Sequence, residues 1–416
     1  MDSKQKRQII ESQQMKKFCL YGFLKSLRFF EPFLLIFLLA NQVSLFEIGI
    51  LYAAREATIL LLAIPTGILA DAYGRKRELL SCFFFYLMSF LLFFIGNSFS
   101  VFLGAMILFG IGEAFRTGTH KSMIFSWIDR EGYRPQRTFI YARTRSCSLL
   151  GGAASGLFGA LILLVAPDLR WVFAATMVPY MLNLALIATY PAWMNEHTGG
   201  RGTRWFLQAG KKNLADILQT PRIRRPLLNS GIYEGVFRTV RDYIQPILES
   251  ILLAAAFHGT MDAERSLELL LGLAYFAFYL ASAVGARKAY RGKDRWGAKA
   301  TANRLFLLLG IGCLLVSRLT HYALPVSLLF LLLFVVSHMR RPLMIGILGG
   351  VTPEHERATL FSLETQTKSA CIVVLAPIVG WLAEYRSIGA MFFLLGLGVV
   401  LLSFLLRIPN RRSKFL

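Results

Sequence analysis

The chain has 416 residues, of which 55% are hydrophobic and only 17% are charged, and its formal net charge is +22. So little polar surface excludes a soluble protein of this length and indicates a membrane protein. Most of the 46 Lys and Arg residues fall in alternate loops between apolar segments, which excludes a nucleic-acid-binding stripe and indicates membrane topology.

Twelve apolar segments are long enough to cross the hydrocarbon core of a bilayer, which takes roughly 20 helical residues. The first is too long for the core of a signal peptide, so we expect it to be retained. The segments lie at 19–41, 47–70, 79–96, 99–119, 146–167, 171–191, 226–248, 266–288, 303–321, 324–346, 358–384 and 387–407.

Basic residues choose the orientation of these segments, since Lys and Arg accumulate on the cytoplasmic side. They cluster at 4–28, 75–77, 130–145, 201–225, 287–304 and 407–414. An even number of spans places both termini on the same side. The sequence therefore predicts a multi-pass protein of the inner (cytoplasmic) membrane with both termini cytoplasmic.

The two halves of the chain read as a duplication. Residues 28–34 align on residues 242–248 with an offset of 214, and residues 113–116 align on 337–340 with an offset of 224. The fold prediction is an all-α membrane protein of two pseudo-symmetric six-helix bundles. We expect the bundles at 1–193 and 226–416, with a cytoplasmic linker at 194–225 that rests on lipid headgroups.

A short polar turn between the second and third segments carries the most specific motif of the chain. Its spacing is G-x-x-x-D-x-x-G-R-K-R, formed by Gly67, Asp71, Gly74 and residues 75–77. The glycines suit close helix packing and a tight reversal, and the basic residues suit the cytoplasmic side. A second copy is expected near Gly285, where the Asp has been lost.

This spacing resembles the signature loop of the major facilitator superfamily of secondary transporters. The resemblance implies a gating role, in which Asp71 and Arg75 form contacts between bundles that hold the outward-facing state closed on the cytoplasmic side. The gating loop is then Gly67, Asp71, Gly74, Arg75 and Lys76. The fifth segment also resembles the glycine-rich fifth helix of drug/proton antiporters, without the usual Pro, and tight helix packing explains it equally well.

Ionisable side chains inside apolar segments are costly unless they are paired or face water, so each marks a candidate site. On the fourth and seventh segments they recur at spacings of three and four, which gathers them on one helix face. The superfamily resemblance implies that the first, fourth, seventh and tenth helices line a central cavity. The candidate cavity, substrate or proton-coupling residues are Glu31, Glu113, Arg116, Glu234, Arg238, Arg241, Asp242, Gln245, His338 and Arg340.

Some of these charges have a simpler interpretation as salt bridges that fix the helix bundle. We expect this for Arg55 with Glu56 and for Glu364 with Lys368. For Glu113 beside Arg116, and Glu234 beside Arg238, we favour transport. A buried acid stays ionised next to a cation and takes up a proton when the cation moves away, which ties protonation to conformation.

The sequence predicts a secondary active transporter of a small organic solute, with proton-coupled efflux favoured and proton-coupled uptake of an organic anion or metabolite as the alternative. A membrane receptor or an enzyme on the same scaffold is a remote third reading. Neither a phosphate-binding loop nor a Cys/His cluster is found, so we expect no cofactor, no metal and no enzyme activity. We expect a monomer in the lipid bilayer.

Overall fold

A computed structural model describes residues 3–116, 119–195, 220–256, 263–351 and 357–409 of the chain. Its α-helices are labelled α1 to α16 in chain order. The first nine are Ser3–Glu11, Gln13–Lys25, Leu34–Ala40, Leu45–Tyr73, Arg75–Ile95, Phe99–Arg116, Thr119–Arg130, Arg137–Val165 and Trp171–Ala188. The next seven, α10 to α16, are Pro221–Val240, Ile244–Ala256, Ala263–Trp296, Ala298–Leu319, Ala323–Val351, Arg357–Tyr385 and Ile388–Leu405.

The helices reproduce the twelve apolar segments of the sequence. Within the described ranges, nine helical stretches are long and apolar enough to cross a membrane. The first and seventh segments do not count as single spans because each is interrupted, and the second, α4, carries Arg55 and Glu56 in its middle. The predicted all-α membrane fold with twelve segments is therefore consistent with the structure.

The first and seventh segments are interrupted at equivalent positions. Helix α2 ends at Lys25 and α3 begins at Leu34, while α10 ends at Val240 and α11 begins at Ile244 after a 3-10 turn, Arg241–Tyr243. Pro lacks the backbone N–H that an α-helix interior needs, so the prolines near both breaks favour a helix that stops and restarts. When the first segment is shifted by the 214 residues of the sequence alignment, its break overlaps the break of the seventh segment.

Two glycines with positive φ reverse the chain between long helices. Gly74, with φ of 93°, separates α4 from α5, and Gly297, with φ of 82°, separates α12 from α13. Glycine adopts this backbone conformation without steric cost. The expectation of a second motif copy near Gly285 is wrong, because Gly285 lies inside α12, where it packs against Val335.

The second chain reversal, at Gly297, is the position that corresponds to the first reversal, at Gly74. Asp294 precedes it by three residues, as Asp71 precedes Gly74, and the offset between the two glycines is close to the 224 of the helix alignment. This copy has therefore kept its acid and its glycine, so both the expected position and the expected loss of the Asp were wrong.

Contacts divide the chain into two compact units. Unit 1 comprises Met1–Phe37, Ala57–Phe206 and Glu268–Tyr279, and unit 2 comprises Leu38–Glu56, Leu207–Leu267 and Leu280–Leu416. The division into two bundles and a linker at 1–193, 194–225 and 226–416 was made from the sequence, and it stays a prediction. Most of the expected linker, residues 196–219, lies outside the described residues.

Unit 1 has an aromatic core and a helix of small residues. Rings of Phe37, Phe93 and Phe173 pack within 4.8 to 6.4 Å of one another. On α8, Gly159 approaches the carbonyl of Phe29, where a methyl group would lie 2.8 Å from the oxygen. The small residues of α8 therefore serve close helix packing, as the simpler interpretation of this segment expected.

Unit 2 contains a close antiparallel contact between the first half of α4 and α15. A Cβ atom at Gly49 would lie 3.0 Å from the Cα of Pro377, and one at Gly380 would lie 3.1 Å from the Cα of Phe46. The Leu45 N–H donates to the Glu384 carboxylate at 2.9 Å at the end of this contact. These glycines allow the two helix backbones to approach closely.

Candidate functional site

A carboxylate held by two guanidinium groups lies at the centre of unit 1. Glu113, on α6, accepts from Arg28 Nη2 at 2.5 Å with one oxygen and from Arg116 Nη2 at 2.5 Å with the other. The side chain of Glu113 is 12% exposed, and those of Arg28 and Arg116 are 20% and 25% exposed. The predicted pair of Glu113 with Arg116 is present, and Arg28 joins it.

Buried tyrosines fix the direction of both guanidinium groups. Arg28 Nε donates to the Tyr180 hydroxyl at 3.0 Å, and that hydroxyl donates to the carbonyl of Lys25 at 3.1 Å. Arg116 Nε donates to the Tyr86 hydroxyl at 3.2 Å. Each arginine therefore has one donor on a neutral hydroxyl and one on the carboxylate, which leaves the ion pairs little freedom of position.

Arg28 is the residue that sequence reasoning missed. It was assigned to the basic stretch 4–28 on the membrane surface, but it lies in the break between α2 and α3 and reaches Glu113 on α6. The internal alignment could have pointed to Arg28, because it aligns Arg28 with Asp242, and both of these aligned residues are ionisable. Glu31 lies in the same break, and its N–H donates to the Arg28 carbonyl at 2.9 Å.

An aromatic group adjoins this cluster. His120, on α7, stacks on the Tyr21 ring with centroids 3.6 Å apart, and His120 Nε2 lies 3.3 Å from the Tyr190 hydroxyl. Phe18 contacts His120 and Tyr190 edge to face. These rings come from three separate parts of unit 1, so only the packed helices bring them together.

The candidates of the seventh segment lie in unit 2 as two local ion pairs. Arg238 Nε donates to Glu234 at 3.1 Å across one helical turn of α10, as predicted. Arg241 lies 3.3 Å from the Asp242 carboxylate in the 3-10 turn after α10. Gln245 is fully buried at the start of α11. All five candidates flank the break in this segment.

His338 and Arg340, both on α14, make contacts with the packed interior of unit 2. His338 Nδ1 donates to the Phe334 carbonyl at 2.9 Å, and its ring is stacked parallel to that of Phe334. Arg340 is 2% exposed and donates to the Asn229 carbonyl at 3.0 Å. Its guanidinium also lies 4.0 Å from the centre of the Tyr233 ring. These contacts tie α14 to α10.

The predicted salt bridge between Glu364 and Lys368 is wrong. Within the described residues, Glu364 instead accepts from Arg341 at 2.5 Å, and the Lys368 ammonium lies 3.1 Å from the Glu56 carboxylate. Arg55 lies 3.5 Å from Glu56, so that predicted pair is present. Glu364 and Lys368, neighbours on α15, therefore pair with residues of two other helices, α14 and α4.

Glu56 and Glu364 are both buried acids of unit 2. The Glu56 carboxylate also accepts from the Ser369 hydroxyl at 2.7 Å, and Ser230 donates to Glu364 in the same unit. Each of these acids has a cation and a hydroxyl as partners. Within the described residues, Glu364 Oε2 is nevertheless a buried oxygen without a hydrogen-bond partner.

The described part of the gating loop is anchored within unit 1. Arg75 Nη1 donates to the Ser126 hydroxyl at 3.0 Å, and the Lys76 ammonium donates to the carbonyls of Ala188 and Tyr190 at 2.7 and 2.8 Å. A Cβ atom at Gly74 would lie 2.7 Å from the carbonyl oxygen of Asn195. The remaining two loop candidates, Gly67 and Asp71, belong to α4, and the side chains of residues 67–73 are not among those that the structure describes.

Paired charges on interrupted membrane-length helices are typical of membrane transporters. Comparison with known proteins agrees. A family model described as Major Facilitator Superfamily matches residues 18–228, about half of the chain. The chain therefore belongs to the Major Facilitator Superfamily and is a multi-pass membrane transporter.

Individual relatives and solved structures are similar along nearly the whole chain. The chain is 20% identical over 378 residues to "Uncharacterized MFS-type transporter YxaM" of Bacillus subtilis (strain 168), covering 87% of each protein. It resembles the crystal structure of nucleoside transporter NupG with a TM-score of 0.74 and 11% identity, covering 95% of this chain and 98% of that one. It resembles that of a D-xylose-proton symporter with a TM-score of 0.72 and 14% identity, covering 97% and 99%. At these identities the two structures establish the fold alone.

Proposed function

We propose that this transporter exports a small organic solute in exchange for protons, by alternating access of a site between two six-helix halves. The observation that supports the proposal is the carboxylate of Glu113, enclosed by Arg28 and Arg116. A membrane-embedded acid with two cations as partners suits a group that gains and loses a proton during each transport cycle.

The chemistry of the exchange follows from the ion pairs. While both guanidiniums contact Glu113, the carboxylate is stabilised in its ionised form. If the first segment moves at its break and withdraws Arg28, the acid loses one of its two cations and binds a proton more readily. Proton uptake and helix movement then favour each other, which is the coupling that antiport requires.

Glu234 with Arg238 on α10 is the second proposed coupling pair. It also lies just before the helix break at Arg241–Tyr243. Arg241, Asp242, Gln245, His338 and Arg340 are proposed to shape or support the cavity in unit 2. Arginines in the cavity would suit a carboxylate or another anionic cargo.

Proton-coupled uptake of an organic anion or metabolite is the second candidate function. The specific observation in its favour is the similarity of the fold to a D-xylose-proton symporter and to a nucleoside transporter. Uptake would use the same acids, with solute and proton moving in one direction.

We also propose the orientation and the loop function that the sequence indicated. Both termini lie in the cytoplasm, the protein lies in the inner membrane, and it acts as a monomer. Asp71 acts with Arg75 as a conformational latch on the cytoplasmic side. Replacing Asp71 by Asn would then impair transport without loss of expression, whereas unchanged transport by well-expressed protein would exclude the latch.

The proposed function is tested in proteoliposomes with an imposed pH gradient, by screening organic anions and cationic drugs for flux. Solute should accumulate on the acidic side for antiport and on the alkaline side for symport. Glu113→Gln should abolish pH-driven flux, and Glu234→Gln should reduce it. Glu11→Gln, at an exposed ion pair on α1, is the matched control. Full pH-driven flux in both cavity variants would show that these carboxylates are structural.

A further inference from the structure

A cavity of about 540 Å³ lies at one end of unit 2, away from the ion pairs described above. It is formed by α11, the chain reversal between α13 and α14, and the start of α16. Because α13, α14 and α16 are all of membrane length, this end of unit 2 lies at a membrane surface. The described lining contains four hydroxyl side chains and two basic residues, namely Ser250, Ser317, Thr320, Ser387, Arg318 and His321.

The basic side chains of this cavity have no acidic partner. The Arg318 guanidinium lies 6.0 Å from the centre of the Phe393 ring, and among the described residues neither Arg318 nor His321 makes an ion pair. No Asp or Glu belongs to the lining in the described part of the chain, and Glu249 is only a sequence neighbour of the lining residue Ser250. Arg318 also lies outside the basic clusters that indicate membrane orientation, so topology does not explain its charge.

The first turn of α16 brings backbone donors to the same cavity. The Ser387 hydroxyl caps this helix by accepting from the Ala390 N–H at 3.0 Å, and the N–H groups of Ile388 and Gly389 have no acceptor within the helix. A Cβ atom at Gly389 would lie 3.3 Å from the Ser317 carbonyl oxygen, so α16 begins close to the end of α13. These donors add to the positive charge of Arg318.

An exposed apolar stripe of α16 begins at the cavity. Phe393 is part of the lining and is 40% exposed, and Leu397 and Leu401 follow it at intervals of four residues with exposures of 43% and 65%. This spacing places all three on one helix face. Tyr322, next to His321, is 60% exposed, as is typical of aromatic residues at a membrane interface. The cavity therefore combines cationic and hydroxyl groups with a surface that suits acyl chains.

We infer that this cavity binds the headgroup of an anionic phospholipid, with the phosphate at Arg318 and His321 and an acyl chain along the apolar stripe of α16. The planar guanidinium suits two phosphate oxygens, and the imidazole supplies a further N–H donor. A zwitterionic headgroup would bring an ammonium group, for which the described lining holds no acid. The inference depends neither on the cargo nor on the coupling of transport.

The test measures lipid binding to the purified protein in detergent, by native mass spectrometry and by the thermal midpoint. Short-chain phosphatidylglycerol should bind and raise the midpoint. Diacylglycerol with the same chains should bind at least about tenfold more weakly, because it lacks the phosphate that accepts charge-assisted hydrogen bonds. Phosphatidylcholine with the same chains should also bind more weakly, and so should glycerol 3-phosphate, which lacks the acyl chains.

Variants locate the binding in this cavity. Arg318→Gln should weaken phosphatidylglycerol binding at least about tenfold, and Arg318→Lys should retain part of it because the ammonium keeps the charge but not the planar fork. His321→Ala should weaken binding by roughly threefold to tenfold. Arg386→Gln is the matched control, since Arg386 is exposed near the same end of unit 2 and does not line the cavity, and it should bind as the parent does.

Arg318 and His321 are both exposed, so the thermal midpoint without lipid should be the same in these variants as in the parent. Should Arg318→Gln melt lower, Arg318→Lys and His321→Ala decide the outcome. The inference is overturned if no phosphatidylglycerol binds, if the cavity variants bind it like the parent, or if Arg386→Gln loses as much binding. Equal binding of phosphatidylcholine would reject an anionic headgroup, and equal binding of glycerol 3-phosphate would reject a lipid as the occupant.

Discussion

Replacing Glu113 by Gln tests whether the central ion pairs stabilise the fold. The change keeps the shape of the side chain and removes the charge that both guanidiniums contact at 2.5 Å. Removing one partner of a buried ion pair costs about 3–5 kcal/mol because the remaining charge is left uncompensated. Since the two arginines are 20% and 25% exposed, water screens part of this, and we expect a loss of about 2–3 kcal/mol.

The expected shift in thermal midpoint follows from the size of unit 1, which contains about 200 residues. An unfolding entropy of about 2.1 cal/mol/K per residue gives roughly 0.4 kcal/mol/K if this unit unfolds cooperatively. The loss of about 2–3 kcal/mol then lowers the midpoint by about 5–7 °C. Tryptophan fluorescence during heating in detergent measures it.

Matched variants define the outcome that would refute this reasoning. Glu11→Gln breaks the exposed pair with Arg7, which contributes little in water, so its midpoint should shift by less than about 1 °C. Arg116→Gln leaves Glu113 paired with Arg28 and should cost less than Glu113→Gln. If Glu113→Gln melts within 1 °C of the Glu11→Gln control, the ion pairs do not stabilise unit 1.

Three further changes probe packing and pairing through the same thermal midpoint. Gly74→Ala, at a positive φ with the Asn195 carbonyl oxygen close by, should lower the thermal midpoint by a few degrees. Gly132→Ala is the control, because Gly132 also has a positive φ but has open space around it, and it should lower the midpoint less. Equal shifts would exclude a contribution from the contact with Asn195. Gly49→Ala forces α4 away from α15 and should cost about 1–3 kcal/mol, so an unchanged midpoint would contradict the close approach. Lys368→Gln should lower the stability of the protein because buried Glu56 loses its nearest cation. Adding Glu56→Gln should recover part of the lost stability. Strictly additive losses of stability in this double-mutant cycle would show that the two side chains do not interact.

Features that depend on neighbouring residues were predictable from the sequence. A run of about 20 apolar residues is expected to be helical in a bilayer, because a helix satisfies its own backbone hydrogen bonds without water. The pairs of Glu113 with Arg116 and of Glu234 with Arg238 are local too, because residues three or four apart share a helix face.

Features that join distant residues required the packed helices. Nothing local distinguishes Arg28 as a partner of Glu113, because 85 residues separate them and the contact depends on how α2, α3 and α6 pack. Lys368 likewise lies one turn from Glu364 but pairs with Glu56 across 312 residues. The sequence by itself determined the helices, the family motif and which segments carry charge. Only the tertiary structure decided which acid meets which base, because the strength of an ion pair depends on distances and solvent exposure that arise when helices pack.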